Sequence, residues 1–394
     1  MNEPLSSDAH PAAPRAQASV ALVMSGGGAR AAYQVGVMRG LARQWPAFRP
    51  DIITGVSAGA INAVSLASHP GSFPDAVEAL HRLWTDLTTD QVFRTDGPSL
   101  FRIGWRWLRR LLSGGEVGQG AHGFVDTTPL YRLLRQHLDP HGRGIEGIGQ
   151  NIRDGRLRAF GLTATDYATG RSVTWTQGRD LEPWDLPNRK SIEACVGVEH
   201  VMASAALPFI FPAVPVRTPT GGGWYGDGGI RLTAPLSPAL HFGAERVLAV
   251  STRYARTAAE AANPATIGYP PPAQIAGVLM NGIFLDLLDQ DATTLRRISH
   301  LVEDCRPAQP GGLRPVDLLV VRPSEDLGCL AGSYEPELPA TFRFLMRGLG
   351  SHETRSPDWL SMLLFEPDYL RHLIAIGERD AEARAEEIGA VIEG

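Results

Sequence analysis

Two glycine-bearing turns, each set between an apolar strand pattern and a helical pattern, constrain this chain more than any other feature. The first lies in "VMSGGGARAAYQVGVMRG", residues 23–40, and the second in "DIITGVSAGAINAVSLAS", residues 51–68. Strand, glycine turn and helix, twice in succession, is the pattern of a mostly parallel sheet with helices packed on its faces. The turns that follow parallel strands gather at one sheet edge, where such proteins bind ligands. Three bare backbone units at the head of a helix favour an anion, because free N–H groups and the helix dipole point at the same place. That anion is either a nucleotide phosphate or a charge that exists only while a bond breaks.

The second turn decides between them. "GVSAG", Gly55 to Gly59, has the G-x-S-x-G spacing of a nucleophile elbow, with Ser57 on a tight strand-to-helix turn. Gly55 and Gly59 let such a turn close and leave the hydroxyl exposed. With both turns at one edge, Gly26, Gly27 and Gly28 can aim N–H groups at an oxygen held over Ser57. That makes an oxyanion hole, in which each donor is worth roughly 3 kcal/mol of transition-state stabilisation. A dinucleotide site fits less well. Gly26, Gly28 and Ala31 satisfy the loose G-x-G-x-x-[G/A] fingerprint, but the acidic residue expected at the end of the second strand is missing. Asp51 precedes that strand instead. No Gly-Lys-Ser/Thr follows the glycines, which excludes a P-loop.

A serine hydroxyl needs a base. The chain has 11 histidines, and none stands in a motif of its own. His200 and His241 sit in apolar surroundings and read as core or surface residues. An α/β-hydrolase would place several strands before its elbow, and here there is one. The better candidate is Asp227 in "WYGDGGIR", flanked by Gly226, Gly228 and Gly229. Its plain alternative is an Asp-Gly turn. Asp166 in "TATDYATG" reads as the start of a hairpin turn and is left out of the site.

Taken in order, "GGGAR", "GVSAG" and "DGG" resemble the patatin-like phospholipase family. "ASAALPFIFPAV", residues 203–214, matches the family's small-residue and proline block ahead of the acid. The resemblance covers residues 19–255, with a strand at 316–321 included, and departs from the family pattern at Ala31, where glycine is usual. It implies an α/β three-layer sandwich with a mostly parallel central sheet. It also implies lipid acyl hydrolysis of the phospholipase A or lysophospholipase type by a Ser57–Asp227 dyad. Gly26, Gly27 and Gly28 would form the oxyanion hole, the substrate would be a lipid ester, and no metal or organic cofactor is implied. A free aspartate is a weak base at neutral pH, so Asp227 is expected to be buried with its pKa raised. Arg30 is a candidate for binding a substrate phosphate or for locking the loop. The rivals are a non-catalytic membrane adaptor on the same fold and, further off, a dinucleotide-dependent oxidoreductase.

The expected organisation follows. Residues 1–17, rich in Pro, Ala and Ser, read as a disordered tail. The catalytic domain spans 18–325, with an insertion at 90–125 and a Pro/Gly-rich linker "NPATIGYPPPAQ" at 263–274. Residues 326–394 form a helical extension. Further strands are expected in "RAFGLTATD", "SVTWTQ", "RVLAVSTR" and "VDLLVVRP". Within the insertion, "SLFRIGWRWLRRLL" puts Arg102, Arg106, Arg109 and Arg110 on one helical face. Trp107 lies mostly opposite, and Trp105 flanks it. These are candidate contacts with a membrane surface, where each arginine near anionic lipid adds roughly 1 kcal/mol. The apolar segment "FRFLMRGLGSHETRSPDWLSMLLFEPDYLRHL" suits core packing, a homo-oligomer surface or lipid contact equally.

The net charge of −5 argues against a nucleic-acid partner. Cys195, Cys305 and Cys329 have no metal-ligand spacing and leave one thiol over in any disulfide scheme, which suits a reducing compartment. "MNEPLSSDAHPAAPRAQ" lacks a signal-peptide layout, and no apolar run reaches the ~18 residues of a membrane span. The expected location is cytoplasmic, with contact limited to the inner face of the membrane.

Overall fold

The computed structural model describes residues 18–96, 123–142, 144–218, 221–262, 268–304, 313–348 and 358–394, and positions 105, 109 and 350 besides. Its strands are β1 (Val20–Met24), β2 (Ile52–Val56), β3 (Ala159–Asp166), β4 (Ser172–Gly178) and β5 (Asp185–Leu186), followed by β6 (Arg189–Glu193), β7 (Val214–Thr218), β8 (Gly221–Asp227), β9 (Arg246–Val250) and β10 (Asp317–Val321). They form one sheet in the order β10-β9-β1-β2-β3-β4-β6-β5, with the β7–β8 hairpin attached to β3. From β10 to β3 every neighbour is parallel. The β3–β4 pair is antiparallel, and so is the junction of β8 with β3.

Side-chain alternation along these strands divides the core in two. Val20, Leu22 and Met24 of β1 face one layer together with Leu248, Val250, Leu319 and Val321. Ala21, Val23, Val247, Ala249 and Val320 face the other. Both faces are covered, so β1 is buried at every position and reads as a continuous apolar run. The first layer holds helices α1 (Ala32–Gln44), α2 (Ala58–Ser68) and α3 (Phe73–Thr85). The second holds the short helix Ser237–His241 and the helix Asp286–Asp304. Helices, sheet and helices give the three-layer α/β architecture expected from the sequence. The strand anticipated near residue 316 returns to the sheet as its outer parallel strand.

Local chemistry accounts for the elements. α3 opens on a capping box in which Ser72 accepts from the Asp75 amide and the Asp75 carboxylate accepts from the Ser72 amide. Phe73, Ala76, Val77, Leu80, Leu83 and Trp84 then recur at helical spacing on its buried face. The helix Pro272–Phe284 begins inside the Pro/Gly-rich stretch, with a proline at its first position, where the missing N–H costs nothing. Four strands were not anticipated. β5, β6 and β7 are short or half exposed, and the three glycines that open β8 break the apolar alternation.

Of the three roles open to the C-terminal apolar segment, residues 358–374 adopt core packing. Leu360, Met362, Leu363, Leu364, Tyr369, Leu370 and Leu373 are all buried. The helix Pro367–Ala383 lies against α1 at backbone contact. A Cβ on Gly36 would stand 2.0 Å from the Ile374 carbonyl oxygen, and one on Gly377 would stand 2.2 Å from that of Tyr33. Arg43 and Arg39 pair with Glu378 along the rim of this contact. No described helix is long and apolar enough to cross a membrane.

Candidate active site

Strand register brings the three glycine-bearing turns together. β1 and β2 run in parallel with Met24 opposite Gly55, so the loop Ser25–Gly28 leaves the sheet beside Val56 and Ser57. β2 pairs with β3 as far as Val56 opposite Thr163. One residue further along β3, at Ala164, β8 takes over as the partner, and Asp227 is the residue it brings there. Ser57 therefore emerges at the point where β8 ends.

Ser57 Oγ donates to Asp227 Oδ2 at 2.6 Å. Ser57 has φ 57° and ψ −134°, a left-handed conformation rare for a residue with a Cβ, and α2 begins at the next residue. The elbow glycines serve close approach. A Cβ on Gly59 would lie 2.3 Å from the Ser25 carbonyl oxygen, and one on Gly55 would lie 2.7 Å from that of Gly59. Ser204 restrains the elbow from the β3 side. It accepts from the Ser57 amide at 3.0 Å and donates to the Thr163 carbonyl at 2.6 Å.

Asp227 is fully buried. Its Oδ1 accepts from the Gly229 amide at 2.9 Å, and its backbone carbonyl accepts from Thr165. Burial pushes its pKa up to about 7, against the opposing pull of the Ser57 and Gly229 hydrogen bonds. A Cβ on Gly228 would meet the Thr163 carbonyl oxygen at 2.2 Å, so the turn carrying the acid packs directly on β3.

The glycine loop passes over the serine. A Cβ on Gly26 would be 2.9 Å from Ser57 Cβ. Gly27 and Gly28 have φ of 148° and 58°, and Gly28 shares a cavity with Ser57. Thr252, two residues past β9, donates to the Gly26 carbonyl at 2.6 Å. Beneath the loop runs a fully buried polar chain: Gln34 donates to Ser25 O, Asn62 donates to Gln34 and to Ala31 O, and Trp84 donates to Asn62. The cavity measures about 610 Å³ including its mouth. Apart from Ser57 its lining side chains are apolar, among them Leu83, Trp84, Leu134, Phe211 and Met362.

Arg30 is buried. Its guanidinium pairs with Asp358 and donates to Ser361 Oγ. It borders a second, polar cavity of about 620 Å³, where Arg253 pairs with Asp286 and Arg256 with Asp326. His200 accepts from the Gly197 amide and meets Trp175 edge-on, and His241 stacks on Trp184. Asp166 accepts from Ala168 and Thr169 in the β3–β4 turn. Trp105 and Arg109 are exposed, while Arg102, Arg106, Trp107 and Arg110 lie outside the described residues, as does Cys305. Among the described residues no cluster of His, Cys, Asp and Glu is arranged to hold a metal ion.

Sequence reasoning missed Ser204, Thr252, Gln34, Asn62 and Asp358. Asn62 carried a signal, being the one amide side chain in the mainly apolar run "AGAINAVSLAS", where the other polar residues are the small Ser65 and Ser68. Asp358 carried none, since its partner Arg30 is remote in sequence.

The family model described as patatin-like phospholipase matches residues 22–240. No curated protein matches the chain. Among solved structures, the human GIVD cytosolic phospholipase A2 in complex with methyl gamma-linolenyl fluorophosphonate is similar at 11% identity and a TM-score of 0.47, covering 95% of this chain and 59% of that one. VipD from Legionella pneumophila is similar at 13% identity and a TM-score of 0.29, covering 73% of this chain and 55% of that one. The chain thus spans less than two thirds of either neighbour.

Proposed function

The chain belongs to the patatin-like phospholipase family, a family of lipid hydrolases, and from that premise we propose that it cleaves carboxylic esters of membrane lipids by acyl transfer through Ser57 and Asp227. The observation that carries this reading is the 2.6 Å hydrogen bond to a fully buried carboxylate from the hydroxyl of Ser57, a residue that lines an apolar cavity suited to an acyl chain.

Ser57 Oγ attacks the acyl carbonyl and passes its proton to Asp227 as the C–O bond forms. The carbonyl oxygen becomes an oxyanion and is met by amides of the loop Gly26–Gly28, with the N-terminus of α2 adding its dipole. Asp227 returns the proton to the leaving alcohol oxygen, which departs and leaves an ester on Ser57. Water then attacks that ester while Asp227 takes its proton, and the fatty acid leaves as the proton returns to Ser57. A carboxyl group with a pKa near 7 suits both halves, since a general base works best when its pKa lies near the working pH.

In this reading Arg30 locks the loop, because its guanidinium already has an anionic partner and a hydroxyl acceptor. The substrate comes from a lipid surface that the protein meets peripherally. The helix Pro272–Phe284 has no charged residue, and Ile275, Val278 and Leu279 stand exposed on it, a face suited to that contact. A hydrolysis screen across lysophospholipid, diacyl phospholipid and triacylglycerol, run beside Ser57→Ala, tests the proposal. Release of fatty acid that the variant abolishes is expected. Equal release by both proteins, or none from any ester, rules it out.

A further inference from the structure

We propose that residues 358–365, which lie beyond the span matched by the family model, are a working part of this site, and that Asp358 is a positioning residue for both the glycine loop and the turn that carries Asp227. The inference rests on the acyl-transfer reading above.

Asp358 is held on both carboxylate oxygens by two different elements. Arg30, two residues past the glycines, donates to Oδ1, and Asn281 in the helix Pro272–Phe284 donates to Oδ2 at 2.7 Å. The neighbouring Ser361 hydroxyl accepts from Arg30 Nε at 2.6 Å and donates to the Asp358 carbonyl at 2.7 Å. The Met362 carbonyl oxygen lies where it would be 2.1 Å from a Cβ on Gly28, so this segment packs directly on the loop. Phe284, one turn beyond Asn281, packs on Gly229, where a Cβ would be 2.3 Å from its ring. The Gly229 amide in turn donates to Asp227. Contacts therefore run unbroken from the glycine loop through Arg30, Asp358, Asn281 and Phe284 to the carboxylate that holds Ser57.

The clamp is largely buried, with side-chain exposures of 4% for Arg30 and 13% for Asp358, and forms part of the wall of the polar cavity. Removing one member leaves the other charge buried without its partner, which displaces the loop. A donor moved by about 1 Å affects the reacting oxygen far more than the acyl chain, which the apolar cavity grips separately. Loss should therefore fall on kcat and largely spare KM.

The test uses the full chain and a soluble short-chain ester, with active-site titration by a fluorophosphonate to count competent molecules. Asp358→Ala is expected to lower kcat per titrated site about 100-fold with KM changed less than about threefold, and Ser361→Ala, which removes one hydroxyl, about three- to tenfold with the same split. The double variant Arg30→Ala with Asp358→Ala should lose little more than either single one, since the pair acts as a unit. Wild-type turnover that needs Ser57, together with undiminished kcat per site in both Asp358→Ala and Ser361→Ala, overturns this inference alone. So does an activity loss wholly explained by fewer titratable sites. A wild-type protein with no Ser57-dependent turnover overturns the parent reading and this one with it.

Discussion

Ser57 holds a backbone conformation that costs a residue with a Cβ roughly 1–3 kcal/mol, and Ser204 is a principal restraint on it. Ser204→Ala removes the acceptor for the Ser57 amide and the donor to Thr163, each inside the core. An unsatisfied buried polar group costs about 1–3 kcal/mol. The variant should unfold at lower urea and turn over at least about tenfold more slowly per molecule, because the hydroxyl loses its aim. Urea titration beside steady-state kinetics checks this, and wild-type values on both would discard the role given to Ser204. For Asp227 the expectation concerns pH. Only its ionised form accepts the serine proton, so kcat/KM should rise about tenfold per unit below pH 7 and level off above it, centred on its pKa of about 7. An acidic limb centred near 4, the value of an ordinary aspartate, would show that burial does not tune this group.

Elements owe their placement to contacts that sequence patterns report unevenly. β1, β2, β9 and β10 were legible because each is a short, mainly apolar run beside a helix or a turn, and layers on both sides demand such runs, while β3 and β4 were legible from aromatic and β-branched residues recurring between turns. β8 was not, because its opening glycines trade apolar alternation for extended backbone, and its pairing with β3 depends on a register no local window contains. The junction of α1 with the helix Pro367–Ala383 was equally hidden. Gly36 and Gly377 look like helix-weakening residues until the partner's backbone is seen to occupy the space of their missing side chains. Gly377→Leu should force the two helices apart and cost about 1–3 kcal/mol or more, the usual penalty of overpacking. Equilibrium unfolding measures it, and an unchanged midpoint would mean that the contact is looser than described.

At the scale of the molecule, Ser57, Asp227 and the three glycines were legible as candidates because their chemistry sits in short motifs. Their supports Ser204, Thr252 and Asp358 were not, because each acts on a residue distant in sequence. The same burial that tunes Asp227 also marks global stability. Its carboxyl has a pKa of about 7 when folded against about 3.9 in the unfolded chain. Between those values the folded protein holds the extra proton. The contribution of this one carboxyl to stability is therefore fully present below about pH 4, falls as pH rises from there through 7, and has dropped by about 4 kcal/mol above that. Asp227→Asn does not titrate, so its stability relative to wild type should improve from pH 4.5 to pH 8 by up to that amount. A difference that stays constant with pH would remove the claim.

Ser57 acts as a nucleophile made reactive by Asp227 in this mechanism, and labelling with a fluorophosphonate, mapped by peptide mass spectrometry, tests it. One adduct is expected, on Ser57, forming faster as pH rises through about 7, absent in Ser57→Ala and slowed about a thousandfold or more in Asp227→Asn. A wild-type protein that takes no label, an adduct on another residue, or Asp227→Asn labelled at the wild-type rate would contradict it.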